Sequence, residues 1–311
     1  MKRFGYHIFS YFIVAMVALS FNSCQNESID IVRPDVNISI ILNNVLSPFQ
    51  AYADEDMKYA EESGIKAKVK VVSFVYDDYG KLVDTYQKIV DNYNANQLSF
   101  KTSIAGANPT IVSFSYGTWS SSDGQVTDAY YISGQNLLST LEIKANFDID
   151  IYSIPWKVLG ANISSIGSSS SANVVLHPLG GLVYTEWRSI HAHDSETPAP
   201  EYYVLMYKNN DIAKVSNGTF TFSTSLSSTY YNVSYINVSK FPSYKNIYGY
   251  QFFFPGSFDT MAYGGYDDAN NAMQETQIAE HLQISVASEK QYVFALNCTD
   301  YTLHFSEGKL D

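Results

Sequence analysis

Cys24 has the most specific chemical context in this chain. It follows Met1-Lys2-Arg3, an apolar run from Ile8 to Leu19, and Phe21-Asn22-Ser23. A basic start and roughly 12–14 apolar residues have the form of a secretory signal. The run is shorter than the roughly 20 residues a membrane span needs. A small residue directly before a cysteine is where a bacterial lipoprotein signal is cut and its cysteine acylated. Phe21 and Asn22 depart from the Leu or Val and the small residue usual in those places. Residues 1–23 are read as a lipoprotein signal peptide, Cys24 as the lipidation site for palmitate-type chains, and 24–34 as the tether. Several acyl chains make such an attachment effectively permanent. Gln25-Asn26-Glu27-Ser28 follows with no aspartate next to the cysteine, the form of an outer-membrane, cell-surface address in Gram-negative bacteria.

Other reactive residue types are present in weaker arrangements. His191-Ala192-His193-Asp194 is the densest group of metal-ligand types. On a strand, i and i+2 side chains share a face, so His191 and His193 could meet one metal. Ser195-Glu196-Thr197-Pro198 follows them, which favours a solvated loop; no metal or cofactor is expected. Asp54-Glu55-Asp56, Asp77-Asp78 and Asp267-Asp268 supply carboxylates. Glycoside hydrolysis would need two of them facing across a cleft, yet each group sits at an expected helix start or turn, where aspartate serves the backbone. Nucleophile elbows, phosphate loops and dinucleotide fingerprints do not occur, so the reading is non-enzymatic. Tyr244, Tyr248, Tyr250, Tyr263 and Tyr266 lie close together around Gly264-Gly265. As rings on a mobile loop they could stack on a glycan; as strand residues they would pack on a sheet. Cys298, inside an apolar strand-like run, is read as a buried, inert thiol.

These residues need elements to hold them, and the composition says which. The 311 residues are 46% hydrophobic and 16% charged, enough to bury a core. The formal charge of −12 speaks against nucleic acid or an anionic lipid surface as partner for the body of the protein. With 26 Tyr, 18 Phe and many small polar residues, the chain has the make-up of half-buried strands and polar turns. Val36-Asn37-Ile38-Ser39-Ile40 alternates cleanly. Ile65 to Val71 sets Lys66, Lys68 and Lys70 on one face, and that face turns apolar through Phe74 and Tyr76, as if the strand ran into a covered centre. Helical signal is thin: Asp54–Ser63, Gln135–Thr140 and Gln274–Leu282. Residues 161–173 are rich in serine and read as a flexible linker. The expectation is mainly β: an N-terminal β-sandwich over 35–160 and a C-terminal one over 174–311.

Three stretches resemble the fimbrillin superfamily of Gram-negative anaerobes, with its anchor and accessory lipoproteins. Val69 to Val83 is similar to that family's apolar strand, Asp-x-x-Gly turn (Asp77-Asp78-Tyr79-Gly80) and restarted strand. Ile104-Ala105-Gly106 leading into Thr110–Phe114 resembles its glycine turn. Leu176 to Val183 stands where its second domain begins. The resemblance implies two tandem transthyretin-like β-sandwich domains and a role as fimbrial anchor or accessory subunit in cell adhesion. Stalk subunits of that family are cleaved after an arginine downstream of the lipidated cysteine. Here Arg33 is followed by Pro34, which implies an uncleaved, membrane-retained protein. The partners expected are the membrane, through Cys24, and other fimbrial subunits by strand addition. Val36–Leu42 is expected as an outer edge strand next to the tether, and the lysine-bearing Ile65–Val71 strand as a guarded edge. The protein is expected to accept a strand rather than donate one, with the tether-proximal domain facing the membrane and the second domain facing the partner. Tyr301–Phe305 is expected as an integral strand. A free-standing glycan-binding surface lipoprotein is the alternative.

Overall fold

The computed structural model describes residues 32–49, 66–93, 97–120, 126–146, 158–167, 169–188, 202–226, 232–237, 247–267, 272–277, 282–297 and 303–308. They are mainly strand, with two short 3-10 turns at Ser47–Phe49 and Leu138–Thr140 and no α-helix among them. In chain order the strands of the first half are β1 (Val32–Ile41), β2 (Lys66–Tyr76), β3 (Leu82–Val90), β4 (Gln97–Ala105), β5 (Thr110–Ser120), β6 (Val126–Asp128), β7 (Tyr130–Ser133), β8 (Glu142–Ala145), β9 (Gly160–Ser165), β10 (Ser171–Val175) and β11 (His177–Pro178). The second half has β12 (Gly181–Arg188), β13 (Tyr202–Lys208), β14 (Ile212–Ser216), β15 (Thr219–Ser223), β16 (Asn232–Asn237), β17 (Ile247–Phe253), β18 (Gly256–Asp267), β19 (Ala272–Gln277), β20 (Leu282–Val286), β21 (Gln291–Asn297) and β22 (Leu303–Glu307).

Alternation creates the first core. Val36, Ile38 and Ile40 of β1 are all buried, in a sheet ordered β10-β1-β4. A second sheet runs β11-β9-β5-β2-β3, with β6 also on β5. Its central strand is buried on both faces from Ile111 to Thr118, so it needs cover on both sides. On one face Val45, from the segment after β1, approaches the position of Ser115 at Gly160. On the other, Phe114 reaches Phe220 of β15 at 5.9 Å and Tyr116 reaches Tyr130 of β7 at 5.9 Å. A third sheet, β15-β14-β8-β7, supplies that cover and takes two strands from each half of the chain. The shift along β2 from lysines to Val72, Phe74 and Tyr76 is the line where this cover begins, because those three residues are buried while Lys68 is exposed.

The second half packs a β17-β12-β21-β22 sheet against β16-β13-β18-β19, with β20 also on β18. Tyr207, Phe253, Phe258 and Phe294 form its centre, with ring centroids 4.9–6.2 Å apart. β22 pairs with β21, and Phe305 stacks on Tyr292 at 5.4 Å, so the expected C-terminal strand is integral.

Several expectations differ from what the structure shows. The serine-rich 161–173 stretch is not a loose connector: it forms most of β9 and the start of β10, with Ala161 and Ile166 buried. Asn162 Nδ2 donates to the carbonyl of Val175 at 2.6 Å, and Ser164 Oγ to Asn162 Oδ1 at 2.8 Å. Ladders to β5 and β11 hold β9 extended whatever its own propensity. The first sandwich therefore extends past residue 160 to Val175, and the β8–β14 ladder joins the halves, so Arg33–Asp311 is one compact unit. β1 is not an edge, since β10 pairs with it in parallel and β4 lies on its other side. β2 is not an edge either; it lies between β3 and β5, with Lys68 exposed and Lys70 paired to Asp128. Gln274–Leu282 holds strand residues of β19 and β20, and Gln135–Thr140 forms only a 3-10 turn. Asp54–Ser63 lies outside the described residues.

Candidate functional site

The two turns that carry the family resemblance meet in space. In Asp77-Asp78-Tyr79-Gly80, Asp77 Oδ1 accepts the N–H groups of Tyr79 at 2.9 Å and Lys81 at 2.8 Å. Gly80 takes φ +74°, open to glycine at no steric cost, and donates its N–H to the carbonyl of Asp77. Asp78 reaches across to the other turn, where its carboxylate accepts the N–H groups of Ala107 and Asn108, both at 2.8 Å. Gly106 sits against that carboxylate with φ +94°, and a Cβ there would lie 2.5 Å from Asp78 Cγ. Two carboxylates are thus used up in fixing backbone amides.

The chain also enters the fold at this end. Pro109 of the second turn accepts the N–H of Ile166, and Ser170 accepts the N–H of Asn37 in β1, both at 3.0 Å. Over the first turn lies the 134–141 segment: Tyr76 Oη donates to the carbonyl of Gln135 at 3.0 Å, and Leu138 N–H to that of Gly80 at 2.8 Å. Two apolar side chains project from this frame, Tyr79 at 76% exposure and Leu137 at 46%, with exposed Lys81 paired to Leu137 in a single β-bridge.

Other carboxylates also serve the scaffold. Lys70 Nζ meets Asp128 Oδ2 at 2.6 Å beside the Tyr116 ring, tying β2 to β6 across β5. Burial raises the Tyr116 phenol above its ordinary range, and the Asp128 charge adds to that. Asp84 accepts from Thr102 Oγ1 at 2.5 Å, and the adjacent pair Tyr86–Phe100 stacks at 4.3 Å, closing the corner between β3 and β4. Asp211, fully buried, accepts from the N–H and hydroxyl of Ser225 and lies 3.9 Å from Lys144 Nζ. Among the described residues no three His, Cys, Asp or Glu gather as a metal site.

The sequence-predicted site residues are dispersed. Cys24, His191, His193, Tyr244 and Cys298 lie outside the described residues. Tyr248 and Tyr250 stand in β17, opposite Glu186 and Tyr184 of β12. Tyr263 and Tyr266 stand in β18 of the other sheet, opposite Leu205 and Tyr202 of β13. Gly264-Gly265 is paired with β13 and β19 rather than being a mobile loop. The expected single loop of tyrosines is therefore two strands in two sheets. Asp77, Asp78 and Gly106 are legible as turn residues, but their junction is not, because nothing local to either turn encodes the other. Tyr79 is flagged only by being aromatic in a turn position that small polar residues usually fill.

No family model matches the chain, and no curated protein matches it. Solved structures do. One is a provisionally named polysaccharide-binding protein of Bacteroides thetaiotaomicron VPI-5482, with 10% identity, TM-score 0.46, and 89% of this chain and 99% of that one covered. Another is a provisionally named cell adhesion protein of Bacteroides ovatus ATCC 8483, with 8% identity, TM-score 0.45, and 89% and 96% covered. A third is a fimbrial assembly protein of Parabacteroides distasonis ATCC 8503, with 12% identity, TM-score 0.35, and 89% and 96% covered. These scores are too low to carry residue roles or an activity to this chain. Among the described residues no helix is long and apolar enough to cross a membrane.

Proposed function

We propose that the chain is a non-catalytic surface lipoprotein, tethered to the outer membrane through Cys24, that serves as an adhesion or fimbrial anchor or accessory subunit. The carrying observation is the lipoprotein-type signal ending at Ser23-Cys24, at the head of a strand-rich body whose two resemblance motifs interlock through Asp78 and Gly106. Retention of the lipid is part of this reading: Arg33-Pro34 lies at the start of β1, where proline follows the arginine that a maturing cut would need. Strand addition by a partner subunit remains part of the reading, with the acceptor in the second half. Its two sheets end on β16, β17, β19 and β22.

Metabolic labelling with a clickable fatty acid, followed by membrane fractionation, tests the anchor. The protein is expected to carry label and sediment with the outer membrane, and Cys24→Ala to lose both. Label persisting on the Cys24→Ala protein would sink the assignment.

A further inference from the structure

We infer that the Tyr79 turn is a second membrane contact, a foot that seats the tethered end of the protein in the lipid headgroup layer. This rests on the lipid-anchor reading and adds to it a surface that the anchor itself does not require. The first observation is position. Hydrogen bonds tie neighbouring segments at this end to one another: Asn37 to Ser170, Ile166 to Pro109, and Ala107 and Asn108 to Asp78. Tyr79 therefore lies at the end of the body where the chain enters from Cys24. Seven residues lie between Cys24 and Val32, a reach of at most about 29 Å even when fully extended. An anchored cysteine thus holds this end within that reach of the bilayer.

The second observation is chemistry. Tyr79 is the most exposed of the large apolar side chains among the described residues, and Leu137 is exposed nearby. A tyrosine at such a tip suits the interface, with its ring against acyl chains and its hydroxyl among headgroups. Lys81 beside Leu137 can meet lipid phosphate. The Asp77 and Asp78 charges that would oppose this are occupied by four backbone N–H groups. The turn is also rigid, so little ordering entropy opposes seating. With a net charge of −12, the fitting surface is a zwitterionic one.

A tryptophan reporter tests the idea in the lipidated full-length protein, reconstituted into phosphatidylethanolamine–phosphatidylcholine vesicles with and without brominated acyl chains. Tyr79→Trp is compared with Val126→Trp, since Val126 is exposed at the far end of β5, opposite Ser120. Flotation first establishes that the protein is on the vesicles; failure to float counts against the anchor and is separate from the foot. In floating protein, the reporter at position 79 is expected to shift to the blue and lose emission with brominated lipid, while that at position 126 does neither. Equal, unquenched emission from both overturns the proposal. A blue shift at position 79 that follows protein concentration without bromine quenching also overturns it, and assigns the tip to a protein contact instead.

Discussion

Two polar stretches of the first half look alike as text and behave differently as structure. Asp77–Gly80 and residues 161–173 both read as punctuation between apolar runs. The first is a turn locked by its own side chains, whereas the second supplies two strands of the sandwich. A tight turn is written locally, since it needs a short acceptor side chain and one residue free to take positive φ. A strand made of serine is written elsewhere, because the neighbouring ladders supply the reason for it to be extended. Small neutral residues are permissive, and the partners decide.

Substitutions can break or sharpen that contrast. The largest effect is expected in the serine stretch. Ile166→Ala should cost about 3 kcal/mol, because Ile166 is buried in the core. Urea unfolding would measure it, and a cost near zero would restore the flexible-linker picture. Next comes Gly106→Ala, expected to cost about 2 kcal/mol through positive φ and the approach to Asp78. Combined with Asp78→Ala it should cost less than the two single changes added together, since the second removes the group the first collides with. Strict additivity in the double-mutant cycle would mean that the turns do not act as one latch.

Strands were readable from alternation, and the covered part of β2 from the change of lysine to apolar residues along one face. Turn positions were readable from Asp, Gly and Pro. Edge and centre were not. β1 has the alternation of a strand wetted on one face, but whether it has one neighbour or two depends on β10, which lies far along the chain. The serine stretch did carry a signal, in Ile163 and Ile166 among the serines and Val174-Val175 just after. The candidate site fared less well. Turn chemistry gave Asp77, Asp78 and Gly106 their local roles, whereas the tyrosines near residue 250 were grouped by closeness in sequence and fall on two different sheets.

Two smaller effects probe the margins of the serine stretch. Tyr93 Oη donates to the carbonyl of Val158, just before β9, at 2.8 Å. Tyr93→Phe should cost about 1 kcal/mol by leaving that buried acceptor bare. Burial holds the Tyr93 phenol well above its ordinary value. Its contribution to stability is therefore complete below about pH 10 and lost as pH rises further, when the unfolded chain ionises first. Unfolding curves taken across that range should fall less steeply for Tyr93→Phe than for the parent, by up to about 1.4 kcal/mol per pH unit. Parallel slopes would mean that the phenol ionises freely in the folded protein. The smallest change is expected at the exposed Ser165, where Ser165→Thr should stay within about 0.5 kcal/mol. A loss above about 1 kcal/mol by thermal melt would show the outer face of β9 to be covered after all.

The parallel pairing of β1 with β10 also sets an order of events in time. β1 leaves the ribosome and the export channel before the other strands among the described residues, yet Asn37 has no strand on that side until Ser171 arrives. β12 likewise waits for β21 near the far end of the chain. Joining distant segments in parallel is slow compared with closing a hairpin. A cysteine acylated at the start of export would thus reach the bilayer while the strand behind it is still unpaired. The protein would then fold as a chain already fastened at one end, and the membrane would be present before the fold rather than found by it.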